Sequence, residues 1–474
     1  MYKPSLLFAA SEVYPFAKSG GLADVAHSLP RALASAYEVS VVMPLYRCID
    51  REKYAISALG EAFEIEMGAE KYPVELFGCE HEGLRHIFIY SPLLSEKEYL
   101  YGTPEKGYED NAVRFGIFNY VIVSLLKRRD YAIAHLNDWQ SALVPLLLKD
   151  EETINTKILY TIHNLAYQGT FEKSSLAELG LGEECFTMEG IEFYSMVSFM
   201  KAGIAYAHRV TTVSPTYAKE ILTPEFGCGL EGFLRHHRNK LSGIINGINA
   251  EHFSPEHDSA LVTPYSDLDG KALNKKAYLK EVGLKGAKKP LFVFVGRFTS
   301  QKGLDLLLQS LPKMASMECN IAFLGEGEEK YHAPLKEIMH RYPNIYLEFG
   351  YNEAHSHRMY AAADFLLMPS LFEPCGLNQM IAMAYGTMPL VHRVGGLADT
   401  VFSYTDFEPL TNRGYGLVFA KPREDLFLKA FKEALALYKN KRHYNRIIKH
   451  NMRRDFSWQE SAKAYLELYA QLLK

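Results

Sequence analysis

Short runs of aliphatic, β-branched and aromatic residues alternate with segments of helical period along nearly the whole chain. In the first half the pattern predicts strands over 5–10, 39–43, 87–90, 131–136, 157–162, 209–213 and 243–245. Amphipathic stretches at 22–33 and 111–126 predict helices between them. The second half restarts the rhythm, with strands predicted over 291–295, 320–324, 344–349, 365–368 and 389–392. Apolar strands separated by helices imply parallel sheets covered on both faces. The expected fold class is therefore α/β, with two doubly wound domains. A polar stretch over 254–289, with Pro255, Pro264 and alternating charges, marks the expected outer boundary of the first domain.

Composition narrows the function without changing that picture. The 474 residues are 48% hydrophobic and 23% charged, an ordinary globular balance with enough apolar surface for large cores. A formal charge of −4 argues against a sequence-independent polyanion binder, so no nucleic-acid partner is expected. The longest near-apolar stretch, 115–126, is far short of the roughly 20 residues that span a bilayer, and Asn119 interrupts it. The apolar run 5–10 is too short for a secretory leader and is soon followed by Glu12. These features predict a soluble, cytoplasmic protein with no membrane partner. The six cysteines form no CxxC pair, and the 17 histidines no HExxH, so no metal site or disulfide framework is expected. His355 and His357 have the wrong offset to act as adjacent ligands on one helix face.

Each half opens with a strand and a glycine-containing, cation-bearing turn into a helix. Ligands of such sheets bind beyond the carboxyl ends of the strands, so two facing domains would line one cleft with these turns. Neither turn matches the dinucleotide or P-loop strings. In the first, Lys18-Ser-Gly20-Gly21 lets backbone amides approach a ligand at a helix N-terminus, and Asp24 follows one turn on. The second carries Arg297 and Lys302 around a helix start, a pair able to neutralise a departing diphosphate. Asp138 follows the strand at 131–136, and His163 with Asn164 follows that at 157–162. The most informative segment runs from Pro369 through Glu373 and Cys375 to Gly376 and Leu377, whose amides are suited to a phosphate. Glu373 would bond sugar hydroxyls there. Cys375 has no visible general base and reads as a small buried residue rather than a nucleophile.

The strings KSGGLADV, NDWQSALVP, TIHNLAYQG, TTVSPTYAKEI, INGIN, GRFTSQKGLD, FEPCGLNQM and GTMPLVHRVGGLADTV carry a resemblance along almost the full length. The chain resembles bacterial glycogen synthases and plant starch synthases, family five of the glycosyltransferases. That resemblance implies a GT-B fold of two Rossmann-like domains around a deep cleft, over 1–250 and 251–455. It further implies a last helix, within 456–474, that crosses back to the first domain. The activity implied is transfer of glucose from ADP-glucose to an α-1,4-glucan such as glycogen, with retention and without a cofactor. By the same resemblance Lys18, Gly20, Gly21 and Asp24 touch the donor's phosphates and glucose. Arg297, Lys302 and the Gly376–Leu377 amides, in the turn that carries Cys375, hold the diphosphate. His163, Glu373 and Asn246 contact the transferred glucose, with Asn164 in the His163 segment. Asp138 sits beside the reacting centre, Tyr351 stacks on adenine, and Gly396 lies against the donor.

Some positions depart from the family pattern. Ser19 stands for a usual threonine, Asn137 and Gln140 for usual histidines, and Asn378 for a usual threonine. Ile381 stands where many related retaining enzymes carry a second glutamate, which the synthases also lack. Two rival readings share the architecture. An α-glucan phosphorylase would need a lysine-bound pyridoxal phosphate, for which no lysine segment is found. A non-catalytic glucan-binding module would not need the lysine, arginine and glutamate kept at their motif positions.

Overall fold

The computed structural model describes residues 3–103 and 106–474. They form two compact units: one of Met1–Val213, Ala218–Ile244 and Ser461–Lys474, the other of Ser214–Tyr217 and Ile245–Glu460.

The first unit contains β1 (Ser5–Ala9), β2 (Glu38–Pro44), β3 (Ser57–Met67), β4 (Glu70–His81), β5 (Leu84–Tyr90), β6 (Ile133–Asn137), β7 (Lys157–Ile162), β8 (Thr170–Glu172), β9 (Glu192–Phe193), β10 (Met196–Ser198), β11 (Arg209–Thr212) and β12 (Leu241–Gly243). Nine of these make one sheet in the order β12-β11-β7-β6-β1-β2-β5-β4-β3, while β8, β10 and β9 form a small separate sheet. The pairs from β12 to β5 are parallel, and β3 and β4 add an antiparallel extension. β1 is buried almost throughout because both of its faces are covered, the reason it reads as an uninterrupted apolar run. The extension was not predicted. β3 alternates exposed and half-buried positions and so has no continuous apolar signal. The helices Gly21–Leu33 and Asn111–Arg128 stand where the period places them. Inside the second, Asn119 is fully buried and donates to the carbonyls of Phe115 and Gln140, which offsets its burial cost.

The second unit contains β13 (Leu291–Val295), β14 (Asn320–Gly325), β15 (Ile345–Phe349), β16 (Phe365–Met368), β17 (Met388–His392), β18 (Val401–Ser403) and β19 (Gly414–Phe419), an all-parallel sheet ordered β15-β14-β13-β16-β17-β19-β18. Its core stacks Phe292 on Phe365 with ring centroids 4.8 Å apart, and Phe431 closes on Phe292 at 4.2 Å. β19, with glycines at 414 and 416, escaped the apolar-run criterion. The polar stretch 254–289 lies inside this unit and contains the helix Leu268–Glu281. Two of its lysines, Lys271 and Lys275, are buried because carbonyls and a carboxylate receive them. Lys271 Nζ donates to Ala361 O (3.0 Å) and Tyr385 O (2.8 Å), and Lys275 Nζ pairs with Asp364 at 2.6 Å. Among the described residues no helix is long and apolar enough to cross a membrane.

In both sheets the chain order reverses at the first strand of the unit, between β1 and β6 and between β13 and β16. Open parallel sheets bind ligands beyond strand carboxyl ends at such a reversal.

Candidate functional site

In the first unit, β1, β6 and β7 are parallel neighbours, so Glu12, Asp138 and His163 emerge at adjacent carboxyl ends. Glu12 is buried, and its carboxylate accepts from Ser19 Oγ (2.7 Å) and from the Ser19 and Gly20 amides. It thereby shapes the loop that presents Lys18, Gly20 and Gly21. Burial pushes its carboxyl above the ordinary range, and the hydrogen bonds from Ser19 and Gly20 partly oppose this. Lys18 Nζ pairs with Asp24 Oδ1 at 2.7 Å, so these two charges arrive as one unit on a half-exposed surface. Sequence reasoning passed over Glu12. Its only signal was an acid directly after a buried strand.

Asp138 has φ 54° and ψ −178°, a backbone state nearly reserved for glycine. Its neighbours hold it there: Asp138 N donates to Thr161 O at 2.9 Å, Oδ1 accepts from the His163 amide at 2.7 Å, and the carboxyl also accepts from the Asn164 amide. Burial raises its carboxyl to about 7 despite those amides, and the Glu12 charge adds to the rise. His163 is driven the other way, down to about 3, because burial disfavours its cation. Its ring is therefore neutral at pH 7. Asn137 Nδ2 donates to Ala9 O at 2.9 Å, which turns Asn137 Oδ1 toward His163 Nε2, 2.9 Å away. Nε2 then carries the proton and Nδ1 the lone pair. Asn137, a departure from the family pattern, is thus the residue that fixes this tautomer. Asn164 turns its side-chain oxygen back to the Ala166 amide at 3.0 Å.

In the second unit, β13 runs into Gly296, Arg297 and a short turn before the helix Leu304–Ala315. Lys302 Nζ pairs with Glu373 Oε2 at 2.6 Å, and Ser370 Oγ donates to the same oxygen at 3.1 Å. Glu373 is buried, whereas Arg297 is exposed and reaches Gln301 Oε1 at 3.3 Å. The Leu371 amide donates to Gln301 O at 2.8 Å, which ties the loop after β13 to the loop after β16. The helix that follows Gly376 spans Asn378–Ala384, with Leu377 as its cap. Gly376 has φ 70°, and among the described residues neither its amide nor that of Leu377 has an acceptor. Gly396 N donates to Glu373 O at 3.0 Å. A Cβ on Gly395 would lie 2.0 Å from Glu373 O, and one on Gly396 2.1 Å from Cys375 O. Only two glycines allow this approach. Cys375 is buried, and burial pushes its thiol up to about 12, which suits a packed residue and not a nucleophile. The Asn246 amide donates to that sulfur, while Asn246 Oδ1 is buried without a partner among the described residues. Tyr351 stands apart from this group, 77% exposed beyond the edge strand β15. Asn378 Nδ2 donates to Val295 O at 2.8 Å, a structural use of another departure. Gln301, inside a quoted motif, and Ser370, in the segment that starts at Pro369, were not singled out from sequence.

The starch synthase catalytic domain family matches residues 5–236, and the family of group 1 glycosyl transferases matches residues 276–452. The glycogen synthase of Syntrophotalea carbinolica is 40% identical over 98% of both chains. The chain belongs to the glycogen synthase and starch synthase family. The glycogen synthase of Aquifex aeolicus is likewise 40% identical, over 98% of this chain and 99% of that one. The catalytic domain of starch synthase IV from Arabidopsis thaliana, solved bound to ADP and acarbose, superposes with a TM-score of 0.91 at 32% identity over 100% of both chains. Sucrose-phosphate synthase from Thermosynechococcus elongatus shares the fold alone, with a TM-score of 0.62 at 18% identity. As a member of this family the chain is a GT-B glycosyltransferase.

Proposed function

We propose that the chain transfers glucose from ADP-glucose to the non-reducing end of an α-1,4-glucan, with retention of configuration, in glycogen synthesis. The observation that carries this reading is the Lys302–Glu373–Ser370 group at the strand-order reversal of the second sheet, beside two amides with no acceptor among the described residues. A nucleotide diphosphate needs cations and backbone donors together. Lys302 and Arg297 supply the charge, and the Gly376 and Leu377 amides the donors. On binding, the phosphate competes with Glu373 for Lys302, and Glu373 is then released to accept from glucose hydroxyls. Asn246 Oδ1, buried and without a partner among the described residues, accepts from another. Binding of ADP by the Arabidopsis relative supports adenine as the base, with Tyr351 exposed to stack on it.

Retention by double displacement requires a free carboxylate near the anomeric carbon. Asp138 has its carboxyl committed to the His163 and Asn164 amides and holds its proton up to about pH 7. Glu373 keeps its bond from Ser370 and, once the phosphate has taken Lys302, is occupied by the glucose hydroxyls it accepts from. Neither is a ready nucleophile. The reading is therefore front-face substitution, in which the leaving phosphate takes the proton of the incoming hydroxyl. The neutral His163 ring, with its Nδ1 lone pair, offers acceptor density to an oxocarbenium-like glucose. Initial rates with ADP-glucose and with UDP-glucose on glycogen, with the new linkage assigned by NMR, test the proposal. A β-linkage, or a faster rate with UDP-glucose, would refute it. A glucosyl adduct on Asp138 or Glu373 in intact-mass spectra with a slow fluorinated donor would refute the mechanism.

A further inference from the structure

Outside that machinery, three side chains of the second unit converge in a pattern that the transferase reaction does not use. His252, Glu353 and His357 each bring one ligand atom to a common point, all within 4.8 Å of one another. Glu353 opens the helix Glu353–Ala362, and His357 follows four residues later on the same face. The pair that shares a face is therefore Glu353 with His357, not His355 with His357. His252 comes from the segment after Asn249, whose side-chain oxygen accepts from the Glu251 and His252 amides at 3.1 Å each. His252 Nε2 lies 3.1 Å from Glu353 Oε1.

His357 shows what the cluster is for. Its side chain is 5% exposed, and its Nδ1 lies 2.8 Å from Asp258 Oδ2. Tyr385 donates to the same oxygen at 2.6 Å, and the Ala260 amide donates to Oδ1 at 2.9 Å, so this carboxylate is anchored from three sides. An acceptor-only carboxylate fixes the His357 proton on Nδ1, which leaves the lone pair on Nε2. That nitrogen is buried with no hydrogen-bond partner among the described residues. A carboxylate behind one imidazole nitrogen, with the other nitrogen buried and unpartnered in a ring whose centroid lies 5.0 Å from that of His252, is the outer-shell arrangement that orients metal-ligating histidines.

We propose that His252 Nε2, His357 Nε2 and a Glu353 carboxylate oxygen bind a divalent ion of the zinc class, with Asp258 as the orienting partner of His357. Two imidazoles and one carboxylate suit zinc and disfavour magnesium or calcium, which take oxygen ligands. A tetrahedral ion ~2.0–2.1 Å from each ligand draws the three atoms to roughly 3.3 Å apart, a contraction that the half-exposed His252 and Glu353 side chains, at 36% and 38%, can supply. Their exposure leaves the fourth position to water. The ion ties the segment at 252 to the helix at 353. This inference is independent of the donor and acceptor assigned above.

The test uses the full chain, reduced and stripped with EDTA, titrated with Zn²⁺ by calorimetry and counted by elemental analysis after desalting. One ion per chain is expected, with Co²⁺ giving the absorption of a tetrahedral nitrogen–oxygen site. His252→Ala and Glu353→Gln, both half-exposed and tolerable to the fold, should each weaken binding at least tenfold. His357→Ala should abolish it, and its circular dichroism will show whether it still folds. No retained zinc at micromolar concentration would overturn the proposal. So would unchanged affinity in both half-exposed variants, or a cobalt–thiolate charge-transfer band, which would move the ion to the exposed thiols of Cys48 or Cys228.

Discussion

Asp138 and His163 lie side by side and respond to pH in opposite senses. The folded chain holds the Asp138 proton up to about pH 7, against an ordinary value of 3.8. Between those limits the folded state binds more protons than the unfolded one, so this residue makes stability fall as pH rises. His163 titrates at about 3 when folded against 6.5 ordinarily, so over its window the unfolded state binds more protons and stability rises with pH. The windows overlap from about pH 4 to 6.5, where the contributions oppose. Urea denaturation across that range should show a steeper rise of stability with pH for Asp138→Asn than for wild type, and a shallower one for His163→Gln. Superimposable pH dependences for all three proteins would refute the assignment. Lys302 and Arg297 separate binding from folding in another way. Under the proposed mechanism, in which each acts on charge that develops in the leaving group, either alanine variant should lower kcat/KM by roughly 10²–10³-fold. Lys302→Ala also strands the buried Glu373 carboxylate, at a cost of about 1–3 kcal/mol. Exposed Arg297→Ala should leave Tm within a degree or so. Equal melting losses for the two variants would contradict this distinction.

At the level of elements, the second site depends on how closely two loops approach. Gly303 has φ 78°, and a Cβ there would lie 2.2 Å from Pro369 O, the residue that follows β16 and leads to Ser370 and Glu373. The obstacle is backbone, which cannot rotate away. Gly303→Ala is therefore expected to cost more than the ~1 kcal/mol of a left-handed alanine alone. It should also raise KM for the donor by displacing Lys302, as steady-state kinetics and thermal denaturation would report together. An unchanged Tm would show that the loop has room to move. Elsewhere, regular elements were read correctly where both faces of a strand are buried, as in β1 and β13, since apolar continuity then survives in sequence. They were missed where a strand is half-exposed, as in β3, or glycine-rich, as in β19.

At the scale of the molecule, the chain's last segment belongs to the unit formed by its first. Within Ser461–Lys474, Tyr469 OH lies 2.7 Å from His135 Nδ1 on the buried strand β6, and its ring meets Tyr37 edge-on at 5.3 Å. Deleting residues 461–474 uncovers His135 and the sheet beneath it. Hydrogen exchange should then show lost protection in β1, β6 and β7 while β13–β17 stay protected; equal loss in both sheets would refute the assignment. The pattern of apolar runs, the turns after the first strand of each unit, and the motif strings by themselves determined fold class, family and most candidate site residues, because those features are local in the chain. Only the tertiary structure decided which groups meet. Lys302 bonds Glu373 across 71 positions, Asn137 orients His163 across 26, and Glu12 bends back to hold its own loop. The proton states of Asp138 and His163 belong to the same category. They follow from burial by residues distant in sequence, and burial is a property that no local pattern of residue types contains.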